Sequence, residues 1–225
     1  MLLALDYPGL RTQARIADLG LAGLVDLLVA PLPLAASGSG YTGELLARVP
    51  GAQARAVLGY CASAPLAAGL AARLSNPPLI LFDAETVGAR TVRDAYRSMA
   101  GQLGVLVSDQ DVERLGDPSG EPETFLASAR TDLRDRVRTA LLGDGCPAAG
   151  VEDFVTELTG ACLAWLAHLV AAADAGPVRS AGPVLRVVSR ERPGGDVTID
   201  CAADDLLRHL ATRAAVRSFL AANPR

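Results

Sequence analysis

The chain contains no lysine. All 21 of its basic side chains are arginine, against 25 acidic ones, for a net charge of −4 at neutral pH. Arginine without lysine reflects the codon usage of a GC-rich genome, and the arginines form no basic block, which argues against nucleic acid as a partner. Cysteine is scarce as well: Cys61, Cys146, Cys162 and Cys201 are scattered without a C-x-x-C pair. That spacing argues against a disulfide framework or a zinc site and fits a reducing cytoplasm, with no metal or other cofactor expected. Histidine occurs only as His168 and His209, so a mechanism that needs an imidazole has two places to find one. No positive segment precedes the apolar residues of Met1–Leu5, and Pro8 and Gly9 follow at once, so no secretory signal is expected. The longest apolar run, Gly160 to Ala173, is short for a bilayer span, so no membrane is expected either.

What is present is enough apolar residue for one α/β core with an insertion: 225 residues, half of them hydrophobic. Apolar runs at Met1–Leu5, Val25–Val29, Ala56–Leu58, Leu79–Phe82, Val184–Val188 and Val197–Asp200 have strand length. Helical spacing is expected over Arg11–Leu19, Tyr41–Val49, Pro65–Leu74 and Asp204–Ala222. Between Val92 and Asp174 the pattern is helical throughout, with breaks at Gly116–Pro122 and Gly143–Gly150. Ser37-Gly38-Ser39-Gly40 lacks the lysine and hydroxyl residue of a phosphate-binding loop and is expected to be a plain loop.

The organising stretch is Arg55–Glu85, which reads as strand, tight turn, helix, strand. A unit this compact is the right-handed crossover of a parallel sheet. Its turn, Gly59-Tyr60-Cys61-Ala62-Ser63, has the form G-x-C-x-S where a nucleophile elbow has G-x-S-x-G, with small residues two positions either side of the nucleophile because the backbone is crowded there. Cys61 would then stand above the carboxyl edge of the sheet at a helix N-terminus, whose dipole favours a thiolate. Asp83 ends the next strand. A structural reading competes at each position: Cys61 as a small buried residue, Asp83 as a turn cap, Ser63 as an alternative nucleophile out of register with the elbow.

The run LGYCASAPLAAGLAARL followed by PLILFDAE resembles the thioesterases of the α/β-hydrolase fold that accompany polyketide and nonribosomal peptide synthetases, whose pattern is GYSxGG, an alanine-rich helix and a strand ending in aspartate. The resemblance implies an α/β fold with a hydrolase-like, mostly parallel sheet, split as residues 1–91 and 175–225 for the core and 92–174 for a helical lid insertion. It implies Cys61 as nucleophile and Asp83 as triad acid, with a cytoplasmic protein of antibiotic-type secondary metabolism acting on an acyl thioester borne by a carrier protein. It also places an oxyanion-hole loop at Asp6-Tyr7-Pro8-Gly9. Two departures stand out: cysteine replaces serine, and Ser63-Ala64 stand where the family has two glycines.

The family's histidine precedes the terminal helix, and aligning Thr198–Leu207 there puts Ala203, or Ala202, in its place. The base is therefore His168, His209 or absent. A thiol needs less activation than a hydroxyl, so acyl transfer to a thiol or amine, or cyclisation, would suffer less than hydrolysis. The alternative is a protein that kept the fold for binding or scaffolding and lost catalysis. Trp165 and Phe154 are expected in the core, and Arg130, Arg134, Arg136 and Arg138, interleaved with Asp132 and Asp135, on a solvated face.

Overall fold

The structure is a computed structural model describing residues 1–7, 14–51 and 53–224. The chain divides into two compact units, one of Met1–Leu32, Thr42–Thr86 and Ala175–Arg225, the other of Pro33–Tyr41 and Val87–Asp174.

The first unit is built on six strands: β1 (Leu2–Leu5), β2 (Leu24–Asp26), β3 (Ala56–Tyr60), β4 (Leu79–Phe82), β5 (Val184–Ser189) and β6 (Val197–Ile199). They form one sheet in the order β2-β1-β3-β4-β5-β6, and every neighbouring pair is parallel. The sheet is thus wholly rather than mostly parallel.

Alternation along the strands sends Leu2, Ala4, Leu58, Ile80, Phe82 and Val187 to one face, where they join Ile16, Leu19, Leu206, Val216 and Leu220 in one cluster. Leu3, Leu5, Val57, Leu79 and Leu81 are buried on the other. Both faces being covered is why these strands read as continuous apolar runs.

Helix α2 (Ala64–Arg73) belongs to the second face. A Cβ placed on Gly59 would lie 2.7 Å from the Cβ of Ala67 in that helix, so glycine is what lets strand and helix approach. The chain leaves β1 for β2 on one side and β3 for β4 on the other. The reversal between β1 and β3 is the point where parallel sheets open a crevice at their carboxyl ends.

Two expected helices in this unit come out differently. Arg11, Thr12 and Gln13 of the first lie outside the described residues, and what is described there is a single 3-10 turn, Ile16–Leu19. The terminal helix expected from Asp204 is broken into a 3-10 turn, Ala203–Asp205, and α7 (Leu210–Ala222). His209 is extended, with ψ 135, and its Nδ1 accepts a hydrogen bond from Ala211 N at 3.2 Å, so it caps α7 and is not a helical residue.

The second unit carries α3 (Ala89–Gln102), α4 (Asp109–Arg114), α5 (Pro122–Gly143) and α6 (Val151–Ala175), with no strand among the described residues. Ser108 and Asp111 cap α4 reciprocally, and Pro122 opens α5 where its missing N–H is not needed. The unit also takes Pro33–Tyr41, which includes the start of α1 (Gly38–Ala47). Gly38 N donates to Asp174 Oδ2 at 2.8 Å, so the supposed loop at Ser37–Gly40 is a helix start met by a carboxylate.

Helix α6 outruns the apolar stretch that marks it in the sequence. At 25 residues it is long and apolar enough to cross a membrane, with 61% of its most apolar window buried inside the protein. Phe154, expected in the core, is 56% exposed. It is exposed near the start of α6, where Val151 and Val155 are buried. Trp165 is half-buried and stacks on His168. Arg134 donates to Thr156, Arg136 pairs with Asp132 and Asp111, and Arg138 pairs with Asp135 and Glu152.

Candidate active site

The end of β3 sets the geometry. Tyr60 is its last extended residue, and Cys61 then turns sharply into a 3-10 turn, Cys61–Ser63, that runs directly into α2. Cys61 has φ 51, a left-handed conformation that a non-glycine side chain adopts at a cost on the order of 1–3 kcal/mol. Strain at this one residue, with Gly59 packed against Ala67 two positions earlier, is what an elbow requires. The turn leaves Cys61 half-buried, while Ser63 is buried beneath it at 1% exposure.

The thiol has a partner that sequence reasoning missed. Cys61 Sγ donates to Glu85 Oε2 at 3.2 Å, and Glu85 N donates to the Cys61 carbonyl at the same distance. Register explains the meeting: Tyr60 pairs with Phe82, so β3 and β4 end level and the residues just past them face each other. Glu85 stands two positions beyond Asp83, and the parallel pairing of the two apolar runs is the signal that could have found it. Arg192, on the loop after β5, lies 3.8 Å from Glu85 Oε1. Both side chains are well exposed there, so the ion pair contributes little stability.

The environment raises the thiol's pKa instead of lowering it. Burial is the largest cause, followed by the hydrogen bond to Glu85 and its charge; together they push Cys61 up to about 12. The Ala62 backbone N–H and Arg192 act in the opposite direction and are outweighed. The expectation of a dipole-favoured thiolate is therefore corrected: burial, with a carboxylate in contact with the sulfur, outweighs the partial charge of a helix end. At neutral pH the resting thiol keeps its proton.

Asp83 lies at the end of β4 with φ 42 and is 2% exposed. Its Oδ1 accepts from Ser189 N at 2.7 Å and from Ser189 Oγ at 3.1 Å, which ties β4 to the end of β5. Its Oδ2 is buried with no hydrogen-bond partner among the described residues. An unsatisfied carboxylate oxygen is costly to bury. Ala203, where the family's histidine is expected, lies half-buried in the 3-10 turn after β6. The thiol of Cys201 in the same loop is raised by burial and, more weakly, by charges that include Asp83.

Each histidine has a partner within its own unit. His168 is fully buried in the helical unit, with Nδ1 3.0 Å from the Tyr41 hydroxyl and its ring stacked on Trp165 at 5.4 Å between centroids. Burial lowers its pKa to about 3, so it is neutral at any physiological pH. His209 is spent as the cap of α7.

Of the supposed oxyanion loop, Pro8 and Gly9 lie outside the described residues. Asp6 is buried: its Oδ2 accepts from Ile16 N at 2.6 Å and Arg15 Nε at 3.3 Å, while Arg15 also bonds Asp26 at 2.7 Å. Burial raises the Asp6 pKa against the pull of Ile16 N–H and Arg15.

No protein-family model matches the chain, and no curated protein is significantly similar to it.

Proposed function

We propose that the protein is a thioesterase-like acyltransferase of the α/β-hydrolase type, in which Cys61 takes an acyl group from a thioester and Asp83 is the inherited triad acid. The observation that carries this reading is the left-handed Cys61 at the end of β3, with Gly59 against Ala67 and the 3-10 turn leading into α2. Further support comes from its place beside the reversal in strand order, where parallel sheets bind ligands. In this reading residues 92–174 are the lid insertion and the acyl donor is a carrier-bound thioester of a biosynthetic pathway.

Acylation joins Cys61 Sγ to the thioester carbonyl carbon and releases the donor thiol, which takes up the proton that the cysteine gives up. One thioester replaces another, so the step is nearly isoenergetic. Release to water demands a general base on a weak nucleophile, and the side chain that the thiol meets among the described residues of its unit is a carboxylate, Glu85. Transfer to an amine or thiol, or closure by a nucleophile within the acyl chain, is the reaction this site favours.

The raised thiol, and an Asp83 Oδ2 without a hydrogen-bond partner among the described residues, also support a second reading, a binding or scaffolding protein on a hydrolase fold. Intact mass after incubation with acetyl- and octanoyl-thioesters of N-acetylcysteamine separates the two. An acyl adduct on the wild type that is absent from Cys61→Ala supports the acyltransferase. The absence of any adduct, together with no labelling by iodoacetamide, supports the scaffold.

A further inference from the structure

Glu85 and Asp83 follow the same strand but are differently placed for proton transfer. Asp83 is 2% exposed, with one oxygen fixed by two hydrogen bonds from Ser189. Glu85 is more than a third exposed, so its carboxyl group can exchange protons with solvent. Its backbone N–H is anchored on the Cys61 carbonyl at 3.2 Å, while Oε2 receives the S–H of the same residue at 3.2 Å. Two attachments to one residue hold the carboxylate on the sulfur, and Arg192 stands by the other oxygen, Oε1, at 3.8 Å.

We infer that Glu85 is a catalytic residue, the proton-transfer group of Cys61 in the place that an imidazole fills in a triad. The inference rests on Cys61 being the acylated nucleophile. As Sγ bonds to the thioester carbonyl carbon, the thiol proton passes to Glu85 Oε2. When the carbon–sulfur bond to the donor breaks, the same proton passes from Glu85 to the departing thiolate, and the carboxylate is restored. In the second half, an incoming amine or thiol bonds to the acyl carbon and gives its proton to Glu85, and Cys61 leaves as a thiolate that recovers it. A carboxylate does this for a thiol or amine more readily than for water, which matches the preference argued above.

A contact between carboxylate and thiol could instead only suppress the thiolate, and the two roles differ in sign. The test compares wild type, Glu85→Gln and Glu85→Ala in two assays: alkylation by iodoacetamide across pH 7–10, and the acylation rate with an octanoyl thioester read by intact mass. Removing the carboxylate charge makes the thiol more acidic, so Glu85→Gln is expected to alkylate faster at pH 8.5 than wild type. Its acylation by the thioester is expected to fall on the order of 10²-fold, the low end of a general base's contribution. Formate, a free carboxylate, is expected to restore acylation of Glu85→Ala. Faster alkylation with equal or faster acylation would make Glu85 a suppressor and overturn the inference, as would unchanged rates in both assays. A wild type that alkylates but never acylates overturns the function reading itself, a result distinct from either. Because the side chain is more than a third exposed, melting temperatures of the three proteins are expected to agree within a few degrees.

Discussion

The carboxyl edge of the sheet and the interior of the helical unit hold complementary parts of an acid–base set. At the edge stand a thiol and two carboxylates, Cys61 with Glu85 and Asp83 with Ser189. In the helical unit an imidazole, His168, is packed with Tyr41 and Trp165. The difference shows how environment assigns a role to a residue type. Full burial makes His168 a neutral packing group, whereas burial and a carboxylate contact keep the Cys61 thiol protonated.

The strongest way to sharpen this contrast is to supply the edge with an imidazole. Ala203→His, at the position where the family's histidine aligns, is expected to raise hydrolysis of the acyl-enzyme on the order of 10²-fold, followed as loss of adduct mass with time. If hydrolysis stays unchanged in the folded variant while His168→Ala or His209→Ala abolishes turnover, the working base is a native histidine and the contrast breaks.

Next in size is the acid. Asp83→Ala leaves Ser189 N and Oγ without their acceptor and is expected to destabilise the fold by about 1–3 kcal/mol in urea unfolding. Asp83→Asn, which keeps an acceptor oxygen and tolerates a left-handed backbone, is expected to lose less.

The buried histidine gives a comparable effect through pH. Its folded pKa is depressed, to about 3 against an ordinary value of 6.5, so between those values the unfolded chain binds the extra proton and stability falls with pH. Wild type is expected to lose about 2 kcal/mol from this group between pH 7 and pH 5. His168→Gln should lack that share of the loss while acylating normally. The smallest effect belongs to Phe154→Ser on the exposed side of α6, expected to change stability by no more than about 0.5 kcal/mol.

Much of the frame was legible in the sequence because it rests on local pattern. Leu79–Phe82 is a strand with the bounds its apolar run suggests, and Pro122 and Gly143 bracket α5 where punctuation places its ends. The misses share a cause: they depend on contacts between distant segments. Leu206 and Leu207 fit a helical period, yet they reach the core from a turn, and His209 breaks the helix by capping it. Pro33–Tyr41 joins the helical unit through Asp174 and His168, residues far along the chain. Cys61 and Asp83 were visible from the elbow pattern and the strand end. Glu85 was not, because only the register of β3 against β4 brings it to the sulfur.

The central claim is that Cys61 carries an acyl group whose release depends on an added nucleophile, and a chase experiment tests it most directly. Wild type is acylated with an octanoyl thioester, freed of donor, and followed by intact mass in buffer alone and with added cysteamine, with Cys61→Ala in parallel. The expected result is an adduct mapped to Cys61 that persists in water and is discharged by cysteamine. An adduct that also forms on Cys61→Ala, or one that water removes as fast as cysteamine does, would contradict the account.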